Sequence, residues 1–244
     1  MPFYEREESI INELIKNESM TVQELSAKLF VSEATLRRDL SKLEKKNRII
    51  RTHGGAKIVK KEANEHTPFL FRDQEQNEAK AIMAKKAVEY IRDGDIVMLD
   101  GSTSVHHMLP LLSSFQNLMV ITNSAKVSSV LGHMGINNIC TGGQMILGSF
   151  TFIGADAERT AGNYNADIIF FSCRGVAPDG RLTDSSVETN NVLKVMLRNA
   201  RKKVFLCDSS KFDHVYLHNL CHISEVDEVI SEKALPEQLR KMVR

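Results

Sequence analysis

Residues 21–56 read TVQELSAKLFVSEATLRRDLSKLEKKNRIIRTHGGA. Thr21 and Glu24 have the spacing of a capping box, in which the threonine hydroxyl accepts from the Glu24 backbone N–H and the glutamate reaches back. A short helix follows, with Leu25 and Leu29 facing inward. Phe30-Val31-Ser32 makes the turn, and Ser32 is a good N-cap for a second helix over about Glu33–Lys46. At 100° per residue, Leu36, Leu40 and Leu43 fall in one narrow arc and anchor that helix. Its opposite face carries Ala34, Thr35, Arg38, Ser41, Lys42 and Lys45, with Arg37 on the flank. Asn47 is expected to end it, because asparagine tolerates the left-handed conformation. Two short β-favouring runs then surround Gly54-Gly55, the pattern of a two-stranded ribbon with a tight turn.

Upstream, Ile10, Ile11, Leu14 and Ile15 form one stripe of a helix over about Tyr4–Lys16. Three helices and a ribbon make a winged helix-turn-helix, a shape that lays its second helix in the major groove of double-stranded DNA. Arginine can bind guanine in bidentate fashion, and lysine mainly neutralises phosphate. The expected DNA-binding residues are Ser32, Thr35, Arg37, Arg38, Ser41, Lys42 and Lys45 on the helix. Arg51, His53, Gly54 and Gly55 join them from the ribbon.

Charge supports that assignment. The whole chain of 244 residues is nearly neutral, at +1. Residues 32–61 nevertheless hold 10 basic against 3 acidic side chains. A basic stripe beside a neutral body is the footprint of a nucleic-acid-binding head.

The run VSEATLRRDLSKLEKKNRIIRTHGGA closely resembles the N-terminal signature of the DeoR family of bacterial transcriptional regulators. The resemblance continues through most of the chain.

The length allows one or two domains. We expect the helix-turn-helix domain over 1–58, a linker over 59–75 containing Pro68, and an α/β effector-sensing and oligomerisation domain over 76–244. No apolar run is long enough to span a bilayer, and the charged N-terminus lacks a signal peptide's apolar core. A cytoplasmic protein with no membrane partner is expected. Cys140, Cys173, Cys207 and Cys221 are widely spaced, without a C-x-x-C pair, so buried thiols are expected in place of a metal site or disulfides. No cofactor is expected.

From Asp95 onward, short apolar runs alternate with helical patterns, which means an α/β domain with a largely parallel sheet. Strands are expected at Ile96–Leu99, Leu118–Thr122, Asn138–Cys140, Asp167–Ser172 and Lys203–Cys207. His218–Ile223 and Glu228–Ser231 read as additional edge strands. A helix over about Gln76–Arg92 should bury Ile82, Met83, Ala87, Val88 and Ile91. In such sheets ligands sit outside the carboxyl ends of the strands. Those ends lead into Asp100-Gly101-Ser102-Thr103-Ser104, Thr122-Asn123-Ser124, Thr141-Gly142-Gly143 and Asp208-Ser209-Ser210-Lys211. Hydroxyls and free N–H groups at helix starts suit a phosphate or other anion. Lys211 can supply countercharge, and Asp100 and Asp208 can accept from sugar hydroxyls. Arg174 is an unusual charge at the pocket edge.

The loops DGSTS, TNS, TGG and CDSSKF look like the effector-sensing domain of DeoR-type regulators, which resembles ribose-5-phosphate isomerase in fold. Family members typically sense phosphorylated sugars or related metabolites. By that resemblance Asp100, Ser102, Thr103, Ser104, Thr122, Asn123, Ser124 and Lys211 line the pocket; Gly142 and Arg174 are expected beside them from their places after strands. The chain departs from the family pattern at Ser102-Thr103-Ser104, where Gly-Thr-Thr is usual. It departs again at Asn190, where an acid usually precedes Lys194 by four positions.

The expected function is a DNA-binding transcriptional regulator that represses a sugar or carbohydrate operon, is relieved by a phosphorylated sugar or similar anionic effector, and works as a homodimer or homotetramer. No catalytic residues are expected. One alternative is a sugar-phosphate isomerase-like enzyme with an added DNA-binding head, for which Asp100, Asp184, Glu188, His106 and His107 are available without diagnostic spacing. The other is a ligand-independent DNA-binding oligomer.

Overall fold

The computed structural model describes residues 3–45, 48–59 and 69–243. They fall into two compact units, Met1–Glu75 and Gln76–Arg244.

The first unit contains α1 (Phe3–Asn17), β1 (Ser19–Thr21), α2 (Val22–Leu29), α3 (Glu33–Lys45), β2 (Ile49–Thr52), β3 (Gly55–Ile58) and α4 (Phe69–Gln74). Its core is the set of apolar residues spaced for one face of each helix. Ile10, Ile11 and Leu14 of α1 meet Val22 and Leu25 of α2 and Leu36, Leu40 and Leu43 of α3. The Thr21–Glu24 capping box is formed as expected. The ribbon has three strands in the order β1-β3-β2, not two. Met20 pairs with Ala56, which in turn pairs with Arg51. The extra strand was hidden because it directly abuts a helix cap and pairs only with distant backbone.

Part of the stretch expected as linker is helical. α4 packs against α1, and its Leu70 is buried in the core just described. Residues 60–68 and the helix end assigned to Asn47 lie outside the described residues.

The second unit contains α5 (Asn77–Ala87), β4 (Ile96–Leu99), α6 (Thr103–His106), β5 (Met119–Thr122), α7 (Ala125–His133), β6 (Asn137–Cys140), β7 (Gln144–Ile146), β8 (Thr151–Ile153), α8 (Ala155–Gly162), β9 (Ala166–Phe171), β10 (Gly175–Val176), β11 (Arg181–Asp184), α9 (Val187–Arg198), β12 (Ala200–Leu206), β13 (His218–His222), β14 (Glu228–Ile230) and α10 (Glu237–Arg240). Six strands form one sheet in the order β14-β12-β9-β4-β5-β6, and each neighbouring pair is parallel. Counted along the chain, these strands lie 6-5-4-1-2-3. That is the doubly wound order, in which the sheet grows one way from β4 and the other way from β9. The topological switch point therefore lies between β4 and β9.

Both faces of the sheet are covered, which is why its strands read as continuous apolar runs. Ile168, Phe170, Val97 and Leu99 pack with Met83, Ala84 and Ala87 of α5 and Val127 of α7. Ile169, Phe171, Met98 and Phe205 pack on the other side with Ala157 of α8 and Val192 and Met196 of α9. On α5 the buried stripe is Ala79, Lys80, Met83, Ala84 and Ala87, whereas Ile82, expected inside, is 45% exposed.

Glu228–Ile230 is an edge strand of the main sheet as expected. His218–His222 is not: it belongs to a separate antiparallel sheet, β10-β11-β13. Residue alternation alone does not say which sheet a short strand will join.

Candidate nucleic-acid interface and polar pocket

On α3, Ser32 caps the first turn, with its Oγ accepting from Thr35 N at 3.3 Å and lying 2.9 Å from the Thr35 hydroxyl. Beyond it Arg37, Arg38, Lys42 and Lys45 are exposed, and Thr35 and Ser41 are half-buried on the same helix. Arg37 leans back on Glu33 at 3.2 Å. Arg51 crosses from β2 to donate to Ser41 Oγ at 3.2 Å, while its backbone N–H reaches Glu44. Arg51 therefore braces the ribbon against α3. His53 and Gly54 are exposed at the ribbon tip, whereas Gly55 is buried. The two glycines differ in their reasons. Gly54 has φ +87°, and a Cβ on Gly55 would strike the Met20 carbonyl of β1.

One residue of α3 lies outside the expected set. Asp39 points inward, 2% exposed, and takes Arg6 of α1 through two contacts, Nε at 2.8 Å and Nη2 at 3.4 Å. Its position between Leu36 and Leu40 on the apolar arc was the available signal. The clamp fixes the rotation of α3, and so which side chains face outward.

In the second unit, the loops expected to form a pocket all leave the same end of the parallel sheet. At its centre Asp100, 5% exposed, follows β4. Its Oδ1 accepts the Ser102 N–H at 2.9 Å, and its Oδ2 accepts the Ser172 N–H beyond β9 at 2.9 Å. Burial is the largest influence on this carboxyl and pushes it up to about 6, against those hydrogen bonds and the charge of Lys211.

Lys211 ties three loops together. Its Nζ donates to Ser172 Oγ at 2.6 Å and to Ser104 Oγ at 3.4 Å, and lies 3.5 Å from Asp208 Oδ2. Burial alone would raise the Asp208 carboxyl, but Lys211, the Ser210 hydroxyl and Lys80 outweigh it and hold it below the usual carboxylate range. Lys80, only 3% exposed, went unnoticed in the sequence. It occupies the first position of a stripe with Met83, Ala84 and Ala87, where a lysine is out of place unless it has a partner.

The Thr122-Asn123-Ser124 loop is fully buried. Thr122 Oγ1 accepts from Ser124 N at 3.1 Å, and Ser124 Oγ caps α7 through Val127 N at 3.3 Å. Asn123 differs from both. It is 1% exposed, and its Oδ1 has no hydrogen-bond partner. Ser102 caps α6 through Val105 N at 3.3 Å, and Thr103 and Ser104 are buried behind it. Gly142 has φ +64° with open space where a Cβ would stand.

Other expected participants sit differently. Arg174 is held by Asp184, Nε to Oδ1 at 3.7 Å. Asn190 is buried and donates to the His218 carbonyl at 3.4 Å, a bond no carboxylate can make. Cys173 and Cys207 are buried while Cys140 and Cys221 are half-buried, all as free thiols. Burial pushes the Cys207 thiol up to about 12. Among the described residues no cluster of three His, Cys, Asp or Glu side chains can hold a metal, and no helix is long and apolar enough to cross a membrane.

Comparison with known proteins places both units. A model described as a DeoR-like helix-turn-helix domain matches residues 6–62, and one described as a DeoR C terminal sensor domain matches residues 75–233. The chain is 33% identical to the uncharacterized HTH-type transcriptional regulator YulB of Bacillus subtilis (strain 168), over 95% of this chain and 89% of that one. It is 29% identical to the L-fucose operon activator of Escherichia coli (strain K12), over 93% and 94%. It is 30% identical to the putative aga operon transcriptional repressor of Escherichia coli O157:H7, over 97% and 90%. These relatives are named as regulators, not enzymes. A solved ribose 5-phosphate isomerase A from Methanocaldococcus jannaschii overlays 55% of this chain and 53% of its own, at TM-score 0.41 and 18% identity. A likeness that distant says nothing about activity.

Proposed function

The chain belongs to the DeoR family of helix-turn-helix transcriptional regulators, and from that premise we propose that it represses a sugar-catabolic operon until a phosphorylated sugar, or a similar anionic metabolite, fills the pocket at the switch point. The exposed side of α3, from Ser32 to Lys45, enters the major groove, and Arg51, His53 and the Gly54 tip meet the backbone or minor groove. Two or four copies act together on repeated half-sites in the cytoplasm. Effector and DNA are linked because each binds one of two states of the oligomer better.

The observation that carries the effector reading is Asn123. Its buried amide carbonyl lacks a partner, whereas the neighbouring Thr122 and Ser124 hydroxyl oxygens each accept from a backbone N–H. Leaving such a group unpaired costs about 1–3 kcal/mol, which a ligand hydroxyl recovers on binding. A sugar supplies that donor. Its anionic end suits Lys211, which exchanges hydroxyl partners for a phosphate oxygen. Ser102 and Ser124 keep their helix starts ordered around it.

The test uses purified full-length chain, duplex DNA selected from a random pool, and a panel of aldose and ketose phosphates. One member is expected to raise the melting temperature and release the DNA; saturation at 100 times the dissociation constant adds ~2.7 kcal/mol of stability. Asn123→Ala is expected to melt like wild type without ligand and to lose the response. Selective DNA binding with no response to any sugar phosphate supports the ligand-independent oligomer instead. Turnover of a sugar phosphate overturns the regulator reading.

A further inference from the structure

Phe30 is 95% exposed, the largest exposure among the large apolar side chains of the described residues. It is the C-cap of α2, with φ 52° and ψ 42°, a left-handed conformation. Glycine usually fills such a position because a Cβ there meets the following carbonyl. The local chain holds the geometry through two bonds to one residue. Val31 N reaches the Ser26 carbonyl at 3.2 Å, and Ser26 Oγ donates to the Val31 carbonyl at 2.5 Å.

A second phenylalanine adopts the same conformation and shows the contrast. Phe150, φ 58°, is half-buried, with Lys126 Nζ 5.7 Å from its ring centre. Its ring contributes to packing. The Phe30 ring does not, so folding gains nothing from an aromatic at a site that prefers glycine. Strain of this sort concentrates where function needs the side chain.

Its location names the partner. Phe30 lies two residues before Ser32, the cap of α3, so it stands within ~7 Å of chain from the helix start. The first residues of a recognition helix are those that meet base edges, in a groove about 12 Å wide. The exposed cations further along the same helix, Arg37, Arg38 and Lys42, suit the polyanion.

We propose that Phe30 is a base-reading residue whose ring packs on the 5-methyl group of a thymine at the edge of the site entered by α3. The inference rests on the DNA-binding reading above and adds a specificity element to it. An aromatic ring against a thymine methyl is one of the apolar contacts by which the major groove is read.

The experiment selects duplexes from a random pool with the full wild-type chain, then replaces each thymine of the selected site by deoxyuridine, which lacks only the methyl. One position is expected to weaken wild-type binding about fourfold, the ~0.8 kcal/mol of one buried methyl-sized group. Phe30→Gly is expected to lose a similar factor, to ignore the same replacement, and to melt no lower than wild type. The proposal is overturned if no deoxyuridine position matters, or if Phe30→Gly remains as sensitive as wild type. It is also overturned if Phe30→Gly changes the oligomer size measured by sedimentation, which would assign the ring to a second copy. If the wild type selects no duplex at all, the DNA-binding reading itself has failed, a result distinct from the others.

Discussion

Asp100 bridges the two strands between which the sheet reverses direction: it follows β4, and its Oδ2 accepts the backbone N–H of Ser172, which follows β9, at 2.9 Å. One carboxylate thereby fixes the crevice where ligands of doubly wound sheets bind. Because burial raises this carboxyl from near 3.8 to about 6, the native state holds the proton more tightly than the unfolded chain. The Asp100 contribution is therefore fully favourable below pH 4 and declines as pH rises through 6. The loss is about 3 kcal/mol, on the order of two pKa units at 1.36 each. Asp100→Asn removes the titration and adds a constant cost, since its NH2 opposes a backbone N–H. Denaturant unfolding from pH 4.5 to 7 should show wild type losing stability relative to Asp100→Asn. Parallel pH profiles would contradict the assignment.

Lys211 is a structural cation as well as a candidate effector ligand, because it faces a 2% exposed Asp208. Lys211→Met leaves Asp208 with Lys80 and the Ser210 donors, and removing one partner of a buried pair costs about 3 kcal/mol or more. Lys211→Met with Asp208→Asn should recover much of that stability. Both variants should lose the effector response. A single variant that melts like wild type would show the pair to be solvated.

The two wing glycines should respond to substitution to different degrees, for different reasons. Gly54 needs only a left-handed backbone, which asparagine accepts, so Gly54→Asn should cost less than about 1 kcal/mol. Gly55 needs the absence of a side chain against the Met20 carbonyl. Gly55→Ala should therefore destabilise by ~1–3 kcal/mol, as overpacking does. Circular dichroism melts of the two variants check the order, which reverses if backbone conformation dominates at both sites.

On α3, arginine and lysine should fail differently. Arg38→Ala should cost ~1–3 kcal/mol on the selected duplex and relax the choice of base at one position. Lys45→Ala should weaken all duplexes alike and reduce the salt slope by about one. Binding measured across salt concentrations and base substitutions separates them. An Arg38→Ala variant with unchanged sequence preference would remove Arg38 from base reading.

Much of this was legible because it depends on local periodicity. Leu36, Leu40 and Leu43 announce the buried side of α3, and Thr21-Glu24 announces its neighbour's start. The alternation of apolar runs and helices announces a parallel sheet, and strand ends then locate Asp100, Asn123 and Lys211 at one edge. Other features depend on distant partners. Ser19–Thr21 is a strand only because Gly55–Ile58 lies beside it. Ile82 is exposed and Lys80 buried because α5 is turned by what it packs on, not by its own composition.

The residue order by itself determined the head's helices, the sheet class and the polar chemistry of the loops, since these follow from neighbours a few positions apart. Tertiary structure alone decided the 6-5-4-1-2-3 strand order, the Arg6–Asp39 clamp and the Lys211 network. It also decided that the Asn123 carbonyl would be left without a partner and the Phe30 ring left in solvent. Whether a polar or apolar group is satisfied depends on which distant segments close around it, and no local pattern encodes that closure.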